Sequence, residues 1–144
     1  MDVSHALELT SINELKILSN VRLINRNDLN SLNSLNSQEN LHVQFALTGE
    51  VQGAITCYLC LDHHKLTQTD KNYIFPLFVE SMNILVGKQL SLNQQLKIRL
   101  SPPRLSMISH TINTSLKSGM QHYDLQLEGQ TFSVLTQSTI EILN

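Results

Sequence analysis

The sequence has few of the residues that usually mark a membrane segment, a basic ligand surface or a metal site. It contains no tryptophan, five glycines, three prolines and two cysteines in 144 residues. Its ten lysines and arginines form no cluster and the net charge is −2, which argues against nucleic-acid binding because that requires a basic surface. No apolar run is long enough to cross a bilayer, so membrane insertion is not expected.

The composition instead favours an ordinary globular protein. Apolar residues make up 41% of the chain and charged residues 15%, and a chain of this length can bury roughly two thirds of its unfolded surface. The segment Met1–His5 has neither the positive charge nor the apolar stretch of a signal peptide. A cytoplasmic protein is therefore the default expectation.

Two clusters could be mistaken for metal or redox sites. Cys57 and Cys60 have the spacing of a redox pair or of half a zinc site. They lie in a segment rich in β-branched and aromatic residues, which predicts a strand, and strand positions three apart point to opposite faces. His63 and His64 are adjacent and do not converge easily on one ion. We therefore predict no metal site, and surface positions for the two histidines.

The first forty residues are the least regular part of the chain. Residues 4–20 place leucine and isoleucine at roughly helical intervals, which predicts a helix. Residues 29–37 repeat a Leu-Asn-Ser tripeptide, and asparagine and serine favour turns over long elements. We therefore divide the chain into an N-terminal helix with a low-complexity connector, residues 1–40, and a main domain, residues 41–144.

The main domain shows several strand patterns. Apolar and polar residues alternate over 41–47, and a second, more apolar segment follows at 54–61 after a turn with two glycines; this predicts a hairpin whose second strand is central. Alternation at 96–100 predicts a strand that Pro102 and Pro103 end, and 104–112 is expected to be extended. Alternation at 123–127 and 131–135 around a glycine turn predicts a C-terminal hairpin, which Ile140 and Ile142 extend.

A long helix is predicted between these strands. The stretch Thr67–Asp70 (TQTD) supplies candidates to cap its start. The helix should run to about Leu90, with a break or kink near Phe75 because Pro76 follows. The predicted fold class is α+β: a largely antiparallel sheet packed against a long helix.

The helix has one face that is not expected to be buried. At about 100° per residue, most of its apolar residues fall on one arc, and Glu80, Asn83, Gly87 and Pro76 fall together on the other. Leu77 and Ile84 flank Glu80. This face is either a docking surface for a partner, with Leu77, Ile84 and Gly87 as contacts, or an ordinary solvated helix face.

Three motifs in order resemble the CheC/CheX/FliY group of chemotaxis phosphatases, nearest to its CheX-like single-motif members. They are the turn Gly49–Ala54 (GEVQGA) between two strands, the helical pattern Glu80-x-x-Asn83-x-x-x-Gly87, and Ser101–Pro103 after the next strand. The resemblance covers roughly residues 41–144. The chain departs from the pattern at Pro76, where the group often has aspartate or serine, and at Lys88, where it often has asparagine.

The resemblance implies an activity and two catalytic residues. Such proteins hydrolyse the aspartyl phosphate of a CheY-like response-regulator receiver domain in chemotaxis or two-component signalling. Asn83 would orient the attacking water, and Glu80 would contact a lysine of the receiver and orient the complex. The receiver would supply Mg²⁺, so the chain itself would need no cofactor. Members of the group can pair as dimers, which makes a homodimer a further candidate assembly.

Two other functions stay open on the sequence. The first is a non-catalytic CheX-like binding or adaptor module, which would dock a signalling partner or dimerise without speeding hydrolysis. The second is a small-molecule binding domain, although the sequence shows no convergent set of polar residues for one.

Overall fold

A computed structural model describes residues 5–7, 9, 12–26, 37–62, 64–93, 95–109, 119–127 and 129–143. These residues form nine strands and one helix. In chain order the elements are β1 His5–Ala6, β2 Glu14–Leu18, β3 Val21–Asn25, β4 Asn40–Gly49, β5 Val51–Cys60, α1 Gln68–Ser91, β6 Ile98–Leu100, β7 Arg104–Ile108, β8 Met120–Leu127 and β9 Gln130–Ile142.

All nine described strands belong to a single sheet. Its main path has the order β2-β3-β8-β9-β5-β4-β6, with β1 paired to β9 and β7 paired to β4. Every pairing among them is antiparallel. The predicted central position of the second hairpin strand is confirmed, because β5 lies between β4 and β9.

The predicted α+β fold class is wrong. The described chain is a half-barrel sheet of nine strands with one helix. It is dominated by strands and does not have the predicted architecture of a sheet packed against a long helix. The physical reason is that several strands pair with strands far away in sequence. The local pattern on which the fold class was predicted does not register these pairings.

The predicted N-terminal helix over residues 4–20 is also wrong. The structure has β1, β2 and β3 in and just beyond this range, and β3 pairs with β8 from Val21–Leu127 to Asn25–Tyr123. Leu15, Val21 and Leu23 are buried in the main core. Strands from both ends of the chain therefore share one sheet. The predicted connector falls largely on residues 27–36, which lie outside the described residues.

The two predicted hairpins are confirmed, with longer strands than the sequence indicated. β4 and β5 pair from Asn40–Cys60 to Leu47–Gly53, and β8 and β9 pair from Met120–Gln137 to Leu127–Gln130. β9 continues to Ile142, so the predicted extension of the last strand is correct.

The Ser-Pro-Pro motif divides one edge strand into two pieces. β6 and β7 both pair with β4, and they are separated by residues 101–103. The backbone N–H of Ser101 donates to the carbonyl of Ala46 at 2.9 Å, and the Ser101 hydroxyl accepts from the Ala46 N–H at 2.8 Å. The serine hydroxyl thus takes the place of a strand carbonyl as the acceptor for the Ala46 N–H. Pro102 and Pro103, which have no N–H to donate, follow where β6 ends.

The core lies between the sheet and the inner face of α1. Phe45, Ile55, Phe78, Leu125 and Phe132 are all at most 1% exposed and belong to one cluster of buried apolar residues. One side of α1 therefore packs against the sheet, and the other side of α1 faces solvent. Within the described part of the chain, no helix is long and apolar enough to cross a membrane.

Candidate functional site

The start of α1 is fixed by a capping box, as the sequence predicts. The Thr67 hydroxyl accepts from the Asp70 N–H at 3.1 Å, and the Asp70 carboxylate accepts from the Thr67 N–H at 2.9 Å. Two of the amides that have no partner inside the helix are satisfied in this way. The helix then continues from Gln68 to Ser91 with Pro76 inside it. Of the two alternatives predicted near Phe75, a break or a kink, the break is therefore wrong.

The division of α1 into a buried and an exposed face is confirmed. Its buried residues are Ile74, Phe78, Ser81, Met82, Leu85, Val86 and Gln89. Five of these belong to the apolar arc predicted from the helical period. Ser81 and Gln89 are the two polar exceptions, and the Ser81 hydroxyl is satisfied locally by donating to the carbonyl of Leu77 at 2.6 Å.

Gln89 joins the buried face of the helix to the sheet. Its side chain is 2% exposed, and its Nε2 donates to Oε1 of Gln121 on β8 at 3.4 Å. The Tyr123 hydroxyl donates to the same Gln121 oxygen. Burial raises the pKa of Tyr123 to about 12, so the hydroxyl remains a donor at neutral pH. Because Gln89 lies about 180° from Glu80 around the helix, this contact directs Glu80 away from the sheet.

The predicted catalytic pair lies on the solvent side of α1. Glu80 and Asn83 are both exposed, and their spacing of three residues places them on neighbouring turns of one face. Within the described chain, no hydrogen bond or ion pair joins either side chain to another residue. Both side chains therefore have their full hydrogen-bonding capacity available to a ligand or a partner.

The three predicted partner contacts surround this pair. Leu77 and Ile84 are half-buried, because part of each side chain packs against the core. Gly87 is exposed, and a Cβ built on it would meet no atom within 4 Å. The structure thus places a carboxylate, a carboxamide, an open glycine and two half-exposed apolar side chains on one side of the helix.

Tyr73 belongs to this face and was missed in the sequence. Its side chain is 49% exposed, whereas Phe78 on the same helix is fully buried. Tyr73 precedes Glu80 by seven residues, which is close to two helical turns. The seven-residue spacing is the sequence signal that would have found it. We call Tyr73, Pro76, Leu77, Glu80, Asn83, Ile84 and Gly87 the docking face.

The cysteines lie in strand β5, as predicted, and are free thiols. Cys57 is fully buried in the core and Cys60 is 8% exposed. Burial raises the pKa of the Cys57 thiol, and it raises that of Cys60 to about 11, so both are protonated at neutral pH and poorly nucleophilic. Of the two adjacent histidines, His63 lies outside the described residues and His64 stacks on Phe132 at 4.0 Å. His64 is half-buried rather than a free surface residue.

One cavity of the described chain lies away from the docking face. Among the described residues, no three histidine, cysteine, aspartate or glutamate side chains come together in a way that could hold a metal ion. A cavity of about 710 Å³ lies beyond the end of α1. Its lining residues are Leu7, Ser91, Leu92, Asn93, Gln95, Leu96 and Ile142. These side chains are neutral, and none of them belongs to the predicted site.

Comparison with known proteins finds a likeness at the level of solved structures and none at the level of sequence. The sequence matches no family model and no curated protein. The structure is similar to a chain in the crystal structure of the CheX–CheY–BeF₃–Mg²⁺ complex from Borrelia burgdorferi, with 12% sequence identity and a TM-score of 0.42 over 80% of this chain and 88% of that chain. At this distance no residue role is carried from that chain to this one.

Proposed function

We propose that this protein is a phosphatase that hydrolyses the aspartyl phosphate of a CheY-like response-regulator receiver domain. The observation that carries the proposal is the pair Glu80 and Asn83. Both side chains are exposed and unengaged within the described chain, and they lie one turn apart on a helix whose opposite side is buried. The ordered motifs of the sequence, which resemble those of the CheC/CheX/FliY group, point to the same function.

The reaction requires little more than a correctly placed water molecule. The water oxygen attacks phosphorus, the bond from phosphorus to the aspartyl oxygen breaks, and the products are inorganic phosphate and the free aspartate carboxylate. A water proton passes to phosphate or to solvent. A neutral amide can hold the water in line with the breaking bond by accepting and donating hydrogen bonds, without competing as a nucleophile. Asn83 takes this role in the proposal.

Glu80 and the receiver supply the remaining parts. Glu80 would form an ion pair with a lysine of the receiver, which fixes the register of the two proteins more than it adds affinity. Mg²⁺ is assigned to the receiver, together with the phosphorylated aspartate. The chain described here would therefore contribute an orienting amide and a docking surface.

A rigid support for Asn83 is what this chemistry requires. A displacement of about 1 Å can cost about 100-fold in rate when a reaction depends on positioning. The capping box at Thr67, the buried apolar face and the contact of Gln89 with Gln121 all restrict how α1 can move. These contacts support a positioning role for the outer face of the helix.

The decay of a phosphorylated receiver domain from the same organism tests the proposal. The receiver is phosphorylated in the presence of Mg²⁺, and its decay is followed with and without catalytic amounts of this protein. We expect faster decay, with many receiver molecules turned over by each protein molecule. Unchanged decay for every receiver tested, with a protein whose circular dichroism and thermal transition show that it is folded, would reject the proposal.

Replacing Glu80 by alanine is expected to weaken docking more than catalysis. The half-saturating concentration of phosphorylated receiver should rise about 10-fold, because the loss of one interfacial charge pair costs on the order of 1–2 kcal/mol. The maximal rate should stay close to that of the wild type. Because Glu80 is exposed, the thermal transition should not move. Saturation curves at two salt concentrations measure this effect, and a fall in maximal rate at unchanged half-saturation would contradict the orienting role.

Replacing Gly87 by alanine separates folding from docking. Alanine is the better helix former, and the added methyl meets no atom of the chain within 4 Å, so the protein should gain about 0.5–1 kcal/mol of stability. The same methyl narrows the approach of a partner to the docking face, so the half-saturating receiver concentration should rise. Thermal unfolding and the saturation curve are measured on the same sample. A variant that is more stable and docks as well as the wild type would remove Gly87 from the interface.

A non-catalytic binding module is the second candidate, and the edge strand β7 is the observation that favours it. Leu105 and Met107 on this strand are 52% and 49% exposed, and β7 is paired only to β4 within the described sheet. An edge of this kind can pair with another chain, which is also where the predicted homodimer would form. A stable complex that does not depend on phosphorylation and shows no turnover would favour this candidate.

A further inference from the structure

The docking face has two flanks of different chemistry. Measured around the helix axis from Glu80 at about 100° per residue, Tyr73, Ile84 and Leu77 lie at about +20°, +40° and +60°. On the other side, Gly87, Pro76 and Asn83 lie at about −20°, −40° and −60°. Glu80 separates them. One flank is therefore aromatic and aliphatic, and the other carries the carboxamide and the open glycine.

Tyr73 is the most exposed large side chain of the apolar flank. It is 49% exposed, while Leu77 and Ile84 are half-buried because they also pack against the core. The three side chains extend over about 16 Å along the helix axis from Tyr73 to Ile84. Aromatic side chains of this kind carry much of the energy of protein interfaces, because a large and fairly rigid apolar area is buried at little entropic cost.

The charge on this face defines the kind of partner that fits it. Within the residues that define the docking face, Glu80 carries the only charge, and its neighbours on both flanks are uncharged. A complementary surface has one cationic group opposite Glu80, apolar side chains opposite Tyr73, Leu77 and Ile84, and its reacting group on the side of Asn83. A highly acidic or highly basic surface would leave most of its charges unpaired against this face.

We infer that Tyr73 is the affinity-determining anchor of the docking face, and that the receiver lies with an apolar patch over the Tyr73 flank and its phosphoryl group over the Asn83 flank. This inference rests on the proposed function for the identity of the partner. It assigns Tyr73 to binding and not to chemistry, because Tyr73 lies about 15 Å along the helix axis from Asn83. The two flanks thus divide docking from hydrolysis.

The test compares Tyr73→Ala with Tyr73→Phe and with Leu143→Ala. Leu143 is an exposed apolar residue of similar exposure, 45%, that follows β9 and lies outside the helix. Two quantities are measured for each variant: affinity for a receiver that carries beryllofluoride and Mg²⁺ in place of the phosphoryl group, and the saturation curve for dephosphorylation. Thermal unfolding verifies that each variant is folded.

The expected result is a loss of binding with no loss of chemistry. Tyr73→Ala should weaken the affinity and raise the half-saturating concentration about 10-fold, with an unchanged maximal rate. Tyr73→Phe should stay within about threefold of the wild type, since it keeps the ring, and Leu143→Ala should match the wild type. A Tyr73→Ala variant that binds like the wild type overturns the inference and leaves the proposed function standing. An equal loss in Tyr73→Phe overturns the apolar anchor, because the hydroxyl would then carry the effect.

Failure of the proposed function gives a different pattern. If the wild type binds the beryllofluoride receiver without accelerating decay, the phosphatase proposal is rejected, and the affinities of the three variants still decide the role of Tyr73. If the wild type neither binds nor accelerates decay with any receiver, both the inference and the proposed function are rejected.

Discussion

Replacing Asn83 by alanine should remove the accelerated hydrolysis and leave the protein folded and able to dock. The side chain is exposed and has no partner in the described chain, so its loss breaks no contact of the fold. Without the amide, the attacking water has no fixed position, and the rate that the protein adds should fall at least about 100-fold. Affinity for a beryllofluoride-loaded receiver should change little, because Tyr73, Leu77 and Glu80 remain.

Asn72→Ala is the matched control for this variant. Asn72 is an exposed asparagine on the same helix, and its side chain contacts Gln68 through a hydrogen bond of 3.0 Å. Both substitutions replace asparagine by alanine at an exposed helical position, so both should raise helical propensity by roughly 0.5 kcal/mol. The control should keep full activity. Equal losses in the two variants would show that the effect comes from the helix, and would reject Asn83 as the orienting residue.

An Asn83→Gln variant adds a test of geometry. Glutamine keeps the amide but carries it one methylene further from the helix. If Asn83 positions a water molecule, this displacement should cost a large part of the rate, although every hydrogen-bonding group is retained. Full activity in Asn83→Gln would favour a general polar contact over an orienting role.

The local features of the fold could be predicted from the sequence because their signals lie within a few residues. The N-cap candidates at Thr67–Asp70 span four residues and gave the start of α1 correctly. Alternation at 41–47 gave the strand β4, and the helical period gave the exposed side of α1. These signals depend on the direction of side chains within a single element. The period of that element determines this direction, so a short stretch of sequence is enough to predict it.

The pairings between distant parts of the chain could not be predicted in this way. β3 pairs with β8 through contacts such as Val21–Leu127, which join residues about a hundred positions apart. In residues 4–20 the apolar spacing is only roughly helical. The strands β1 and β2 in this range form because β1 pairs with β9 and β2 pairs with β3, which in turn pairs with β8. The α+β prediction failed for the same reason.

The candidate site contains both features that local spacing predicts and features that depend on residues far away in the sequence. Glu80, Asn83 and Gly87 could be placed on one exposed face from helical spacing, which is local. Gln89 could not be recognised as buried, because a glutamine normally indicates a solvent position. Its partner Gln121 is 32 residues away on another strand. The apolar arc of the helix therefore indicated which side faces solvent, whereas the polar contact between Gln89 and Gln121 could not be found from any local pattern.

Replacing Gly53 by alanine should have the largest effect on stability of any substitution considered. A Cβ at this position would lie 1.9 Å from the carbonyl oxygen of Thr139 and 2.8 Å from the Cα of Ile140. Gly53 pairs with Leu47 on one side and with Ile140 on the other, so β5 cannot move away from β9 without straining its pairing with β4. The clash is with backbone, which no rotamer change relieves. We expect a loss of about 3 kcal/mol or more.

Alanine substitutions at two other glycines serve as controls, because at these positions the added methyl does not clash with the chain. Gly87→Ala adds a methyl in open space within a helix and should stabilise the protein. Gly129 has φ of +85° in the β8–β9 turn and also has no atom within 4 Å of an added Cβ, so Gly129→Ala should cost only about 1–2 kcal/mol of conformational strain. The expected order of thermal stability is Gly87→Ala, wild type, Gly129→Ala and then Gly53→Ala.

Thermal and urea unfolding of the three variants test this order. At about 3 kcal/mol, Gly53→Ala should lower the transition temperature by roughly 10 °C, or prevent folding altogether. If Gly53→Ala were no less stable than Gly129→Ala, the close approach of β5 and β9 at this position would be wrong. Gly53 also belongs to the segment Gly49–Ala54, where β4 ends and β5 begins. The clash explains why this position needs glycine, and the reason does not depend on any activity. Without a side chain at Gly53, β5 can approach β9 closely while it stays paired to β4.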